Sequence, residues 1–172
     1  MADLQPISAA LEALLADVSA LKAESVPLEA AAGRVLAEAV TAQLDVPPFD
    51  NSAMDGYALR AADAGQWLPV SQRIAAGTQA QALAPGSCAR IFTGGEIPSG
   101  ADCVVMQERV EVDGERALIP ADIPAGDNVR SQGRDVRQGS VLLNAGERLE
   151  AAALGHLAGQ GITQVSVRRR PR

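Results

Sequence analysis

The feature that most constrains the fold of this chain is the stretch 44–58, which reads Leu-Asp-Val-Pro-Pro-Phe-Asp-Asn-Ser-Ala-Met-Asp-Gly-Tyr-Ala. Pro47 and Pro48 fix their own φ angles and remove two backbone donors, so the segment must enter as a stiff, extended arm. Residues 50–52 carry side chains that can bond nearby backbone groups, which favours a tight turn over a helix or a strand. Two of the chain's four aromatic residues lie in this stretch. We therefore expect a loop that apolar anchors hold in place.

The overall composition excludes several classes of protein. The chain has 172 residues, of which 47% are hydrophobic, and it carries a net charge of −6. Its length suits one large domain or two small ones, and its acidity argues against a general nucleic-acid binder. No run approaches the ~18 consecutive apolar residues that span a bilayer, and the first residues lack the basic region of a signal peptide. We therefore expect a cytoplasmic protein with neither a nucleic-acid nor a membrane partner.

The two cysteines, Cys88 and Cys103, lie far apart in the chain and beside apolar residues. Because the chain has a single histidine, these thiols make a poor zinc site. We predict that both are buried free thiols, the state that a reducing cytoplasm favours.

Hydrophobic periodicity predicts helices towards both ends of the chain and strands between them. The predicted helices cover 7–22, 29–39 and 150–158. The predicted strands cover 57–60, 68–75, 87–92, 102–106 and 162–167, with a hairpin over 110–119 that turns at an Asp-Gly pair. Runs of strands bounded by helices are typical of an α+β fold. We expect two subdomains, of which the β-rich one covers 46–139.

Three loops carry the residues that are suited to chemistry, and each also has a purely structural interpretation. In the first loop, Asp50 and Asp55 could hold a hard cation such as Mg²⁺, which prefers oxygen ligands, or could only cap turns. In the second loop, Thr93 and the two glycines after it follow a predicted strand, so their N–H groups could bind an oxyanion or form a plain turn. The sequence has no GxxxxGK[ST] pattern, so this loop is not a P-loop.

The third loop, 126–139, is a charged segment bracketed by glycines. Arg130, Arg134 and Arg137 lie close together in it, and guanidinium groups bind phosphate in a bidentate manner. Asp135 could bind a metal or neutralise these arginines, and a solvated loop crossed by salt bridges is an equal alternative. Carboxylates, a turn of small residues and arginines together indicate metal-assisted handling of an anion.

The same loops resemble the signature of the MoeA family, the molybdopterin molybdenumtransferases. The first motif is Pro-Pro-Phe-Asp-Asn-Ser-Ala-Met-Asp-Gly-Tyr-Ala at 47–58. The second is Arg-Ile-Phe-Thr-Gly-Gly at 90–95, continued by Val-Val-Met-Gln-Glu at 104–108. The third is Asn-Val-Arg at 128–130 with Gly-Arg-Asp at 133–135. The resemblance covers nearly the whole chain in the right order and corresponds to the N-terminal region of the family, domains I and II.

The resemblance implies an activity and a set of site residues. The reaction would insert molybdate into adenylylated molybdopterin, with Mg²⁺ as cofactor, and yield molybdenum cofactor and AMP. The residues that match the family's catalytic positions are Asp55, Thr93 and Asp135, with Asp55 and Asp135 as ligands of Mg²⁺. The residues implied to bind substrate are Asn128, Arg130 and Arg134. Mg²⁺ and arginines would offset the charges of pyrophosphate and molybdate, which otherwise repel each other.

The resemblance also implies an architecture. A β-rich, barrel-like central domain, 46–139, would be inserted in an elongated α/β linker and dimerisation domain formed by 1–45 together with 140–172. The protein would be a homodimer, in which the active site combines this β-rich domain with a pterin-binding domain of the other subunit.

Two departures from the family pattern bear on these expectations. Family members are longer, and their pterin-binding and small C-terminal domains would follow Arg172, so the first helix would lack the domain on which it packs and leave Ile7, Leu11 and Leu14 uncovered. Gly95 stands where many relatives carry Ala, so this loop differs from theirs at a position next to the implied catalytic Thr93. We expect the chain to fold but not to catalyse the reaction alone. The alternative is a non-catalytic dimerising scaffold or an anion-binding module with the same fold.

Overall fold

A computed structural model describes residues 6–171 of the chain. Two compact units account for these residues. The first unit holds the described residues up to Gln43 together with those from Val141 onward, and the second unit is Leu44–Ser140. In the sequence, the second unit is therefore one continuous segment inserted between the two segments of the first unit.

The described residues form short strands, two α-helices and three single turns of 3-10 helix. The helices are α1 (Ile7–Ala16) and α2 (Ala151–Gly159), and the 3-10 turns are Leu28–Ala30, Ala61–Asp63 and Gln107–Arg109. In chain order the strands are β1 (Ala23–Pro27), β2 (Val40–Thr41), β3 (Asn51–Ser52), β4 (Gly56–Leu59), β5 (Trp67–Ile74), β6 (Cys88–Ile91), β7 (Cys103–Met106), β8 (Glu111–Asp113), β9 (Arg116–Leu118), β10 (Val129–Arg130), β11 (Val141–Leu143) and β12 (Gln164–Arg168).

The second unit is built on a six-stranded sheet in the order β7-β4-β6-β5-β9-β8. Neighbouring strands are antiparallel except β5 and β6, which are parallel. The sheet curls into a half-barrel of mixed strands, so the predicted α+β class with a β-rich centre is confirmed. All the strands predicted between 57 and 119 are present, and each begins and ends within one or two residues of its predicted limits.

The core of this unit follows from the alternation of side chains along a strand, which sends successive residues to opposite faces. On β4, Tyr57 and Leu59 pack with Val105 in one buried cluster, whereas Ala58 packs with Ile91 in the other. Because both faces of the sheet are covered, all four residues of β4 are buried.

The prediction of buried free thiols is confirmed. Cys88 and Cys103 are both buried and neither forms a disulfide. Burial raises the pKa of Cys88 to about 11 and that of Cys103 to about 12, since desolvation disfavours the thiolate. Each thiol lies on a strand of the sheet, where it acts as a small apolar side chain.

The first unit has its own core beneath two small antiparallel sheets. Strand β1 pairs with β12, and β2 pairs with β11. The buried residues of this core are Ala31, Leu36, Leu149, Leu157, Val165 and Val167. Helix α2, predicted over 150–158, covers Ala151–Gly159 and contributes its one buried residue, Leu157.

The predicted helix over 29–39 is wrong. One turn of 3-10 helix, Leu28–Ala30, is followed by a turn at 32–33, two isolated bridges at Val35 and Leu36, and a bend at 37–38. Gly33 has φ of 69°, and Leu36 bridges Val167 across the unit. Alanine has a high helix propensity, but tertiary contacts readily override intrinsic propensity. Burying Leu36 against a neighbouring strand removes its whole side chain from water.

Helix α1 ends at Ala16, six residues before the predicted end at residue 22. Residues 17–22 form a turn and irregular chain, which leads into the strand Ala23–Pro27 that pairs with β12 along its whole length. None of the residues of α1 is buried. Ile7, Leu11 and Leu14 are 88%, 53% and 73% exposed, as expected of an apolar face without a partner. Within residues 6–171, no helix is long and apolar enough to cross a membrane.

Among the glycines of the second unit, Gly56 leaves the least room for a side chain, and a substitution there tests the sheet. A Cβ added at Gly56 would lie 1.9 Å from the Val105 carbonyl oxygen, so Gly56→Ala must push β4 away from β7. We expect a loss of about 3 kcal/mol or more in the free energy of unfolding, measured by urea denaturation.

The matched control is Gly155→Ala, because a Cβ there would meet no atom within 4 Å. Gly155 lies inside α2, where alanine is favoured over glycine by about 1 kcal/mol. The control should therefore be neutral or stabilising. A Gly56→Ala variant with the unfolding midpoint of the parent chain would contradict the close packing of β4 on β7.

Candidate functional site

The centre of the candidate site is strand β3, which the sequence analysis predicted as part of a tight turn. Asn51 and Ser52 are instead extended and buried. Ser52 keeps a local turn bond, since its Oγ donates to the Met54 carbonyl oxygen at 2.6 Å. Two residues are too few to show a strand periodicity, and their pairing depends on segments far away in the chain. The turn prediction failed for that reason.

Strand β3 is hydrogen-bonded on one side to the Thr-Gly-Gly loop. The Ser52 amide donates to the Gly95 carbonyl oxygen at 2.9 Å, and the Gly94 amide donates back to the Ser52 carbonyl oxygen at 2.8 Å. Asn51 also bridges Glu96 in an antiparallel arrangement. The first and second loops are therefore joined through their backbones.

On its other side, β3 pairs with β10 of the third loop. Arg130 lies opposite Asn51 and Val129 lies opposite Ser52. The Ala53 amide donates to the Asn128 carbonyl oxygen at 2.9 Å. Asn128 has φ of 53°, a left-handed conformation that asparagine tolerates better than most residues. The three loops predicted from sequence thus meet along a single two-residue strand.

Asp55 and Thr93, two of the predicted site residues, are in direct contact. Both the amide nitrogen and the hydroxyl of Thr93 donate to Asp55 Oδ1 at 2.8 Å. The Thr93 amide lowers the pKa of the Asp55 carboxyl most, followed by the Thr93 hydroxyl and, after a smaller opposing effect of desolvation, the charge of Arg90. Asp55 is therefore ionised at neutral pH and fixed in orientation, while Oδ2 receives no hydrogen bond from residues 6–171.

The third predicted catalytic residue, Asp135, is bound to its own loop. Its Oδ2 accepts a hydrogen bond from Arg130 Nη2 at 2.8 Å, and both side chains are about half exposed, at 48% and 44%. The Asp135 amide donates to the Val46 carbonyl oxygen at 2.8 Å, which ties the third loop to the arm that leads into the first. Asp135 and Asp55 each have their own partners in this arrangement, and no hydrogen bond joins the two within the described chain.

The other predicted binding residues differ in how free their side chains are. Asn128 Nδ2 donates to the Val104 carbonyl oxygen at 2.9 Å, so this amide anchors the loop to β7. Arg134 is exposed, and among the described residues its guanidinium forms no hydrogen bond or ion pair. Arg134 is therefore available to a ligand, whereas half of the Asn128 amide is already used.

Two further acidic residues, Asp45 and Asp50, hydrogen-bond to the third loop. No role was predicted for Asp45 from the sequence, and the role of Asp50 was left open between a turn cap and a cation ligand. Asp45 Oδ1 accepts from the Gln138 amide and its Oδ2 accepts from Gln132 Nε2, both at 2.8 Å. Asp50 Oδ1 accepts from the Gln132 amide at 2.7 Å, which favours the capping interpretation of Asp50 over the cation site. Gly133 lies against Asp45, where an added Cβ would be 3.0 Å from Asp45 Oδ1. The only feature of the sequence that could have indicated these loop contacts is the acidic residue near each side of the Pro-Pro pair.

A magnesium ion at this site would need ligands beyond those that the described residues supply. In the part of the chain from 6 to 171, no group of three or more His, Cys, Asp or Glu side chains could hold a metal ion. Mg²⁺ is, however, commonly bound by one or two carboxylates together with waters and substrate phosphates. One oriented carboxylate with an open oxygen, as at Asp55, fits that mode of binding.

Comparisons with known proteins agree on one family. Residues 5–161 match the family model described as the MoeA N-terminal region (domain I and II). A molybdopterin molybdenumtransferase from Synechococcus elongatus is 42% identical over 171 residues, covering 93% of this chain and 42% of that protein. Its counterpart from Nostoc sp. is 44% identical over 157 residues, covering 87% of this chain and 36% of that protein.

A solved structure supports the same relationship. The crystal structure of a molybdopterin biosynthesis MoeA protein from Pyrococcus horikoshii OT3 matches 98% of this chain and 47% of that chain, with a TM-score of 0.88 and 37% sequence identity. The chain thus spans about two fifths of the curated relatives it matches and less than half of the solved one.

The Asp55–Thr93 contact predicts a pH-dependent effect of Thr93→Val. This variant loses the hydroxyl donor and keeps the amide, so the pKa of Asp55 should rise towards its ordinary value of 3.8. Because folding lowers this pKa, the bonds stabilise the fold fully above the ordinary value, and their contribution disappears as the pH falls through the lowered one. Urea unfolding should show Thr93→Val less stable than the parent at neutral pH, with the difference vanishing at the acid end.

The control for this experiment is Thr78→Val. Thr78 lies in another loop of the same unit, and its hydroxyl makes no hydrogen bond within residues 6–171. This variant should show no pH-dependent difference from the parent chain. A difference between Thr93→Val and the parent that stays constant from neutral to acid pH would show that Asp55 is not the partner that matters.

Proposed function

The chain belongs to the MoeA family, and on that premise we propose that it is the N-terminal part of a molybdopterin molybdenumtransferase, which inserts molybdate into adenylylated molybdopterin. The observation that carries this proposal is the meeting of the three motif loops along β3. The names of the relatives favour an enzyme of molybdenum cofactor biosynthesis over a scaffold or a simple anion-binding module. The remaining parts of the active site would come from outside the region described.

Asp55 is the residue we propose to hold Mg²⁺, with Asp135 as a second carboxylate. Thr93 fixes Asp55 Oδ1 through two hydrogen bonds and keeps the group ionised. The open Oδ2 would then bind the ion together with phosphate oxygens of the substrate. A bound Mg²⁺ would supply positive charge against the pyrophosphate and molybdate oxygens. The role of this chain is to present a charged, oriented oxygen at a fixed place on the sheet.

The third loop supplies the positive charge in this proposal. Arg134 has an exposed guanidinium with no partner within residues 6–171, and we assign it to contact with the anionic substrate. Arg130 is paired with Asp135, and an incoming anion could share its remaining donors. Asn128 positions the loop through its bond to Val104 and keeps its side-chain oxygen for the substrate. Since the chain has a net charge of −6, these arginines are needed to make the site attractive to an anion.

The first unit serves, in this proposal, as the linker and dimerisation domain of a homodimer. Its helix α1 exposes a row of apolar side chains and buries none of its residues, which is typical of a surface that another part of an assembly covers. We place the protein in the cytoplasm, where the thiols of Cys88 and Cys103 would stay reduced.

Substitution of the two carboxylates tests the proposed function. In a full-length protein that contains this region, Asp55→Ala and Asp135→Ala should each lower the rate of Mg²⁺-dependent molybdenum insertion by about a hundredfold or more. Asp135 is half exposed and paired with Arg130, so its loss should shift the melting temperature by less than about 3 °C. Asp55→Ala also removes the two hydrogen bonds from Thr93 and should lower the melting temperature further without unfolding the chain. Insertion is followed as molybdenum cofactor formed and AMP released.

The matched control is Asp122→Ala. Asp122 is also an exposed aspartate paired with an arginine, Arg109, at 2.8 Å, and its loss should leave insertion unchanged. We further expect the 172-residue chain alone to fold but to form no molybdenum cofactor. Unfolding of both carboxylate variants, or full activity in either of them, would refute the assignment of these residues.

A further inference from the structure

Arg90 joins the two halves of the Asp55–Thr93 contact, although no part of the proposed chemistry uses it. It lies on β6, three residues before Thr93. Its Nη1 donates to the Gly56 carbonyl oxygen at 2.9 Å, beside Asp55. Its Nη2 donates to Gln107 Oε1. The backbone amide of Gln107 in turn donates to the Asp55 carbonyl oxygen at 3.1 Å. The guanidinium therefore bonds to the residue after Asp55 and to a residue whose backbone is bonded to Asp55.

The same guanidinium also packs on the aromatic residues next to both partners. The Arg90 Cζ lies 4.6 Å from the centre of the Phe92 ring, and Phe92 directly precedes Thr93. It lies 5.3 Å from the centre of the Tyr57 ring, two residues after Asp55. Tyr57 is the cross-strand partner of Arg90. A planar guanidinium can stack on rings and donate hydrogen bonds in its plane at the same time.

We propose that Arg90 is a positioning residue that fixes the Asp55 carboxylate and the Thr93 donors relative to each other, and so presents Asp55 to the metal and anion. The expected effect of Arg90 on molybdenum insertion rests on the proposed function. Its expected effect on the Asp55–Thr93 contact rests on the contacts alone. Arg90 itself acts through Asp55 and Thr93, without touching the substrate.

Lysine cannot reproduce this role. A lysine at position 90 would keep the positive charge, which contributes to the lowered pKa of Asp55. It would lack the planar fork that reaches Gly56 and Gln107 while lying on Phe92. Comparing Arg90→Lys with Arg90→Ala therefore separates the effect of the positive charge from the effect of the guanidinium geometry.

Arg73 provides a matched control on the same surface. It is the neighbour of Arg90 across the parallel strand pair β5–β6, and its Cζ lies 4.5 Å from the centre of the Phe92 ring. Its guanidinium forms no hydrogen bond with any residue from 6 to 171. Arg73→Ala thus removes an arginine and a cation–π contact from the same ring and leaves the backbone of Asp55 and Gly56 untouched.

The test uses nuclear magnetic resonance on the 172-residue chain. The Thr93 backbone amide donates to Asp55, so its exchange with solvent reports how firmly the contact is held. We expect Thr93 exchange to become about tenfold faster in both Arg90→Ala and Arg90→Lys, since a bond to a charged acceptor is loosened. Arg73→Ala should match the parent in this measurement.

Each outcome decides the proposal. If Arg90→Ala does not fold, Arg90→Lys alone supplies the answer, because it keeps the charge and most of the side chain. Thr93 exchange equal to that of Arg73→Ala in the folded Arg90 variants would overturn the positioning role. In a full-length protein, Arg90→Lys should lower kcat for insertion about tenfold with little change in KM. If the parent protein inserts no molybdenum, the proposed function fails while the resonance measurements still decide the role of Arg90.

Discussion

The buried backbone pairing of Asn51 and Ser52 is the interaction on which the candidate site depends. These two residues are bonded to the Thr-Gly-Gly loop through Gly94 and Gly95 and to the third loop through β10. Since backbone donors and acceptors that are removed from water must be paired, neither flanking loop can leave β3 without exposing or orphaning several of them. The Pro-Pro arm brings this short strand to the place where the loops meet. The relative backbone positions of the three loops then follow from these hydrogen bonds.

Side-chain contacts then orient the charged carboxylate of Asp55 on this backbone. Thr93 fixes one oxygen of Asp55, and the side chain of Arg90 ties the backbone beside Asp55 to the ring beside Thr93. On the other side, Asp45 and Asp50 accept hydrogen bonds from the third loop. Acidic residues near this site thus fall into two groups. Asp45 and Asp50 hold the loop, whereas Asp55 Oδ2 receives no hydrogen bond from residues 6–171.

How much could be predicted from sequence depended on whether the signal was local. The hairpin turning at Asp113-Gly114 and the buried run at β7 carry local turn and hydrophobic patterns, and both predictions were confirmed. The helix over 29–39 and the turn at 50–52 failed, because in both places pairing with distant segments decided the conformation. The link from Asp55 to Thr93 followed only from motif resemblance. The role of Arg90 needed the register of β6 against β4, which no pattern within either strand reveals.

The central claim is that the three loops form one cooperative body around β3, and native-state hydrogen exchange in rising urea tests it most directly. The Ser52 and Gly94 amides report the bonds to the second loop, and the Ala53 amide reports the bond to the third. If β3 holds both loops, these three amides should open with a common free energy and a common dependence on urea. If Ala53 instead exchanges at a much lower free energy than Ser52 and Gly94, the third loop opens independently and the account of a shared site is contradicted.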